Sequence, residues 1–282
     1  MDTLLITRGD DLGSFPEANQ GIIDCHQRGV LRNASVMAPC PAFAQGAELA
    51  LTCPELCLGL HITLTSEWEG VRWGPVSDPA SVRSLIDDDG HFLTEPKALM
   101  DRGLQMEEIM REARAQLAKA RRHGLPIRYL DEHMFFGWIH ALPSGPRVYD
   151  LMSALAREEG LIWHRDAIDE SLRHFHERIG YPPTEDSVVA AVQALEPGAW
   201  LWITHPARSG GYLERSRLRH LDQQVSGQEG VARVQDALLL SSTATLEACI
   251  RAGVRPASYP EVIAQRTCHR AGPVPVAGMA QS

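Results

Sequence analysis

The sequence predicts an α/β fold, a single distorted TIM-like (β/α) barrel with mainly parallel strands. Strand-like and helix-like stretches alternate along all 282 residues, the order that builds a parallel sheet covered by helices. No linker splits them and no internal repeat is visible. Four strand candidates run directly into groups able to bind a metal or carry a proton: Asp10-Asp11, His61, Asp131 with His133, and His205. In a parallel barrel all the carboxyl ends of the strands lie on one face, so groups far apart in sequence would meet. The barrel is expected over residues 1–266, and the Ala-, Gly- and Pro-rich stretch 267–282 is expected to be a disordered tail.

The first strand is read at Leu4 to Thr7, broken by Arg8-Gly9 and followed by the Asp pair in a short turn. Ser14 is a natural N-cap, Pro16 suits a first turn and Glu17 completes a capping box, so a helix is expected to open there and close near Gly29. In an extended or turn backbone, neighbouring side chains point different ways. One aspartate could then bind a metal while the other faces substrate; a solvated turn is the bland alternative. Val30 to Met37 reads as the second strand, Pro41 to Leu51 as a helix, and Cys57 to Leu60 as a strand ending on His61. Residues 62–100 are irregular, and a loop of that length is usually functional. Asp87-Asp88-Asp89-Gly90 lacks EF-hand spacing and is read as a solvated turn.

Met106, Met110, Ala113, Leu117 and Ala120 recur at helical spacing before Gly124. Ile127 to Asp131 is the next strand, and it runs into Glu132-His133. A helix over Val148, Met152 and Leu155 stops at Gly160, and Leu161 to Trp163 is a further strand. Thr184 caps a helix carrying Val188, Val192 and Leu195. Trp200 to Thr204 is a strand that ends on His205-Pro206. Helices around Val231–Leu240 and Thr243–Ala252 and a last strand at Arg255–Tyr259 complete the series.

The formal net charge of -9, with no basic block to offset it, argues against a nucleic-acid partner. No apolar stretch approaches the roughly 20 residues that cross a bilayer, so no membrane partner is expected. The start of the chain has no basic region followed by an apolar one, so a cytoplasmic location is expected. The six cysteines form no CxxC pair and are read as reduced thiols without a catalytic role. His174 and His176 invite a metal reading but have no evident third ligand, and they are read as structural or exposed.

A carboxylate with two imidazoles suits a divalent ion that keeps open positions for water and substrate. A second carboxylate can take a proton from that water, and a further imidazole can protonate a leaving group. This is equipment for metal-assisted acyl hydrolysis.

The stretches Thr7-Arg8-Gly9-Asp10-Asp11-Leu12-Gly13, Gly59 to Leu64, Asp131-Glu132-His133 and His205-Pro206 resemble the YdjC/ChbG-type carbohydrate deacetylases. Asn33 to Met37 and Ser258-Tyr259 are also similar to that family. The resemblance implies a metal-dependent hydrolase that removes acetyl groups from N-acetylated sugars or small oligosaccharides. It implies that Asp11, His61 and His133 hold one divalent ion, magnesium or zinc. It further implies that Asp10 is the general base, that His205 is the acid or orients the intermediate, and that the protein is a homodimer.

The chain departs from the family's usual Asn-Ala before the aspartates, having Arg8-Gly9. His133 is followed by Met134-Phe135-Phe136 where histidines are usual, and His205-Pro206 is followed by Ala207 where glycine is usual. Arg8 could pair with an aspartate or contact an anionic ligand. Trp68, Trp73, Phe135, Phe136 and Trp138 could line the mouth of the site, although each also suits core packing. Alternative readings are a metal-dependent amidase or esterase on a non-sugar acyl group, a sugar isomerase or epimerase, and a non-catalytic sugar-binding protein.

Overall fold

The computed structural model describes residues 2–134, 147–167, 173–211, 217–218 and 229–270. Strands β1 (Thr3–Leu12), β2 (Asn33–Val36), β3 (Cys57–Ile62), β5 (Ile127–Glu132), β6 (Ile162–Trp163), β7 (Arg173–His174), β8 (Gly198–Thr204) and β10 (Val254–Ala257) form one sheet. All its pairings are parallel. The order is β6-β5-β3-β2-β1-β8-β7, with β10 also on β1. Among the described residues, β6 and β7 do not pair, so the curled sheet is a distorted, open TIM-like barrel. A separate antiparallel pair joins β4 (Trp68–Glu69) to β9 (Arg217–Leu218).

The helices are α1 (Pro16–Arg28), α2 (Phe43–Leu51), α3 (Pro96–Arg102), α4 (Met106–Arg122), α5 (Val148–Glu158), α6 (His164–Ala167), α7 (His176–Ile179), α8 (Glu185–Gln193), α9 (Glu229–Ser241), α10 (Thr243–Ala252) and α11 (Tyr259–Arg270). Their apolar stripes cover the sheet: Ile22 of α1, Leu117 of α4, Leu155 of α5 and Leu240 of α9 are buried with Leu5, Leu58 and Leu130 of the strands. None of the described helices is long and apolar enough to cross a membrane.

Strand β1 has three neighbours. Its whole first part, Thr3 to Gly9, lies against β8. On its other edge Thr3–Ile6 pair with Val254–Ala257 of β10, and from Arg8 onward the partner is β2. Asn33 stands where the partner changes. Its Nδ2 donates to Thr7 O at 3.0 Å and Ala257 O at 2.9 Å, and its Oδ1 accepts from Tyr259 N at 3.1 Å. One buried amide thus satisfies backbone groups that no ladder reaches.

Three expectations need correction. The first strand does not stop at Thr7 but runs to Leu12, because pairing with β8 and β2 carries it through the Asp pair. Ser14 is not the cap of α1: Phe15 holds the N-cap position, while Ser14 Oγ donates to Asp11 O at 2.7 Å. Chain beyond Thr267 continues as helix to Arg270, four residues into the expected tail, because the α11 pattern opened by Tyr259-Pro260 is not yet broken. Residues 62–100 also carry more order than their composition suggests. Within them lie β4, α3 and two short 3-10 turns at Pro79–Ser81 and Arg83–Leu85.

Candidate metal centre and active site

β1 delivers both aspartates to the same place. In a regular strand, Asp10 and Asp11 would point to opposite faces. Here the β1–β2 register shifts between Gly9 and Leu12, and Asp11 has φ 71°. That left-handed conformation is uncommon for a non-glycine residue and is held by its surroundings at a site where it matters. As a result, Asp10 Oδ2 lies 3.9 Å and Asp11 Oδ1 3.6 Å from the same atom, His61 Nε2. The expected divergence of the two side chains is replaced by convergence on one imidazole.

The register between β3 and β5 sets His61 beside Asp131 and Ile62 beside Glu132. His61 Nδ1 is 2.9 Å from Asp131 Oδ1, and Asp131 Oδ2 accepts from Ser35 Oγ of β2 at 2.6 Å. His133, just past β5, has Nδ1 at 3.4 Å from Asp11 Oδ1, and its Nε2 meets both oxygens of Glu67, at 3.0 and 3.1 Å. Each imidazole therefore has a carboxylate on one nitrogen and turns the other toward Asp11. This is the arrangement in which an outer carboxylate fixes the tautomer and aim of a metal-binding histidine.

Two arginines are buried in the same cluster. Arg8 binds Asp10 with two bonds, Nε to Oδ1 and Nη2 to Oδ2, both 2.7 Å. Its Nη1 is 2.9 Å from Asp131 Oδ2 and donates to Tyr259 OH at 3.2 Å. Arg233, from α9, donates Nη2 to Asp11 Oδ2 at 2.7 Å and lies over the Trp68 ring. Burial and the nearby Arg8 hold His164 well below its usual pKa, so it faces Arg8 as a neutral ring.

The electrostatics follow from burial. Around His61 and His133 four carboxylates are buried (Asp10, Asp11, Glu67, Asp131) against two guanidiniums (Arg8, Arg233). With neutral imidazoles the cluster keeps two uncompensated negative charges, which one divalent cation or two protons would balance. Burial alone would discharge His133, but Glu67 and Asp11 outweigh it and push its pKa up to about 10. Burial likewise opposes charge on His61, and Asp131 and Asp10 raise it. Burial would also raise the Asp11 carboxyl, but Arg233 and His133 hold it well below the usual carboxylate range.

These residues fit a divalent ion. Asp11 Oδ1 is buried and has no hydrogen-bond partner, although it faces both imidazoles. A buried lone pair without a donor is costly unless a cation fills its place. Asp11, His61 and His133 offer ligand atoms all within 4.8 Å of one another. An oxygen and two imidazole nitrogens are donors that zinc accepts readily.

His205 follows β8 and is half-buried, with its backbone N donating to Asp236 Oδ2 of α9 at 2.8 Å. It borders a cavity of about 990 Å³ that is also lined by Arg233, Asp236, Trp202, His176 and Tyr181. Arg233 thus joins the cavity wall to Asp11. Its Nη1 is buried without a hydrogen-bond partner.

Of the residues expected at the substrate, Arg8 is turned inward and 1% exposed, with its donors spent on Asp10, Asp131 and Tyr259. Trp73 is buried and donates Nε1 to Thr65 O at 2.7 Å. Trp68 is buried edge-on to Phe15 and under Arg233, the residue that binds Asp11. Phe135 and Trp138, like Phe136, lie outside the described residues. Glu67 and Arg233 were not anticipated. Glu67 sits in the irregular stretch with no pattern to mark it. Arg233 could have been found, because it shares the buried stripe of α9 with Leu240 at i, i+7, and a charge on such a stripe calls for a buried partner.

The model of the YdjC-like protein family matches residues 4–251. The chain belongs to this family. Among curated relatives, a carbohydrate deacetylase of Thermoanaerobacter pseudethanolicus is 30% identical over 158 residues, 56% of this chain and 58% of that protein. Carbohydrate deacetylase 1 of Listeria innocua is 32% identical over 160 residues, again 56% and 58% of the two chains. The match thus spans little more than half the length of these relatives. A solved structure of a candidate cellobiose-phosphate cleavage protein from Enterococcus faecalis superposes with a TM-score of 0.74 at 22% identity, over 93% of this chain and 99% of that one. The two chains share a fold.

Proposed function

We propose that this YdjC-like protein is a metal-dependent hydrolase that removes the acetyl group from N-acetylated sugars or small oligosaccharides. The observation that carries the reading is the buried, unpartnered Asp11 Oδ1 between two carboxylate-backed imidazoles. The name of the relatives, carbohydrate deacetylase, supports the substrate class. Asp11, His61 and His133 would hold the ion, zinc or magnesium. When bound, such an ion polarises an acyl oxygen and makes water more acidic.

The remaining work falls to the chain's own residues. Asp10, gripped at both oxygens by Arg8, is oriented as the base that takes a proton from the attacking water. Arg8 holds that carboxylate fixed through two bonds, so no side-chain freedom is lost as the reaction begins. Arg233 aligns Asp11 through Nη2 and lines the same cavity as His205. His205, on the same cavity, gives a proton to the departing amine. The cavity of about 990 Å³ is large enough for a mono- or disaccharide.

Its apolar lining, Ile179, Pro182, Pro183, Trp202 and Val231, favours as second reading an amide or ester of a less polar acyl substrate. Acetate release from N-acetylated mono- and disaccharides, set beside a panel of non-sugar acyl compounds and a metal analysis of the same preparation, tests both. No acetate from any sugar, with turnover of another amide or ester, replaces the first reading by the second.

A further inference from the structure

The donors around His61 fall into two groups of three. Asp11, His61 and His133 form one, and Asp10, His61 and Asp131 form the other; in each, the ligand atoms lie within 4.8 Å of one another. By donor type the second group is as well equipped for a divalent ion as the first. It differs in already containing a cation. Arg8 spans its two carboxylates, with Nε and Nη2 at 2.7 Å from Asp10 and Nη1 at 2.9 Å from Asp131 Oδ2. The first group has no such plug: Arg233 takes only the far oxygen of Asp11, Oδ2, and leaves Oδ1 without a partner.

Arg8 is also built to stay. It is 1% exposed, stands on the strand that carries Asp10, and has Tyr259 OH and the neutral His164 ring against Nη1. A guanidinium remains charged at any working pH, and its planar fork matches a carboxylate at two points. Two buried carboxylates this close would otherwise demand a proton or a metal.

Building on the metal-centre reading above, we propose that Arg8 is an internal counter-cation that fills the second cation position and limits the site to one divalent ion. The role is one of positioning. By occupying the Asp10–Asp131 gap, Arg8 keeps Asp10 out of coordination and available for protons. An ion in that gap would bind Asp10 and remove it from that duty.

The test is metal stoichiometry of the full chain. Purified protein, stripped with chelator, is dialysed against excess Zn²⁺ at pH 8, and bound zinc per chain is read by elemental analysis. Wild type should hold one equivalent. Arg8→Met should hold two, and adding Asp131→Asn to that variant should return it to one. Wild type and Arg8→Met both at one equivalent would overturn the role of Arg8 and leave the metal centre standing. Wild type at none would reject the metal centre and this inference together. If Arg8→Met does not fold, crystals of wild type soaked in Zn²⁺ decide by anomalous diffraction. An ion at Asp11, His61 and His133 with none between Asp10 and Asp131 supports the proposal; an ion in that gap beside Arg8 overturns it.

Discussion

Glu67→Gln isolates the charge behind His133. The carboxylate is buried, and both its oxygens lie within 3.1 Å of His133 Nε2. Glutamine keeps the size and one acceptor oxygen, so the imidazole remains oriented while a full negative charge disappears. Loss of an outer-shell partner typically weakens a metal site about 10- to 100-fold, roughly 1.4–2.7 kcal/mol. The lower end applies here for two reasons. Orientation survives, and Glu67 also holds the His133 proton, with a pKa pushed up to about 10, so removing it weakens the proton that competes with the metal. We therefore expect the Kd for Zn²⁺ to rise about tenfold. Competition with a chromogenic chelator at fixed pH measures it. A Kd within twofold of wild type would show that Glu67 does not support a metal ligand. Glu67→Ala should be worse for stability, because it strands a buried N–H at a cost of about 1–3 kcal/mol. In a chain of this size that lowers Tm by several degrees.

Other substitutions test other parts of the structure. Asp10→Asn should abolish acetate release while zinc content stays near wild type; a variant that still turns over would remove Asp10 as the base. His61→Ala should lose the metal, since it takes away a ligand and the partner of Asp131 together; stoichiometric zinc by elemental analysis would reject the assignment. Gly59→Ala, two residues before His61, would drive a methyl group into the Tyr129 ring. Over-packing of that kind costs about 1–3 kcal/mol, so Tm by scanning calorimetry should fall by several degrees; an unchanged Tm would mean that Tyr129 moves aside freely. Burial pushes the Cys25 and Cys57 thiols up to about 12 and Cys249 up to about 11. A thiol reacts as thiolate, so these three should stay nearly silent to a disulfide reagent at pH 8, react faster as pH climbs toward those values, and react at once when unfolded. Prompt labelling of the folded protein at pH 8, mapped by peptide analysis, would contradict that.

Strand ends were the legible part of this sequence. Hydrophobic runs closed by Asp11, His61, Asp131 and His205 marked both the sheet and the edge where chemistry gathers, because a parallel topology brings every such end to one side. The boundary of β1 was not legible. Arg8 and two aspartates look like a turn in sequence; pairing with β2 and β8 carries the strand through them, with Arg8 bound to Asp10 and Arg233 of α9 bound to Asp11. The shared direction of Asp10 and Asp11 depends on one backbone angle, φ 71° at Asp11, which side-chain pattern does not encode. Glu67 was hidden because its partner is 66 residues away and its own neighbourhood has no period.

The three-sided pairing of β1 has a consequence for how the molecule is made. Two of its partners lie far along the chain: β8 at residues 198–204 and β10 at 254–257. Until β8 and β10 are in place, one edge of β1 and half of the other remain bare backbone, a template for pairing with the wrong chain. Such distant pairings make assembly of the sheet slow, and Asp10 and Asp11 reach their final setting only once β2 and β8 flank Arg8 and Gly9.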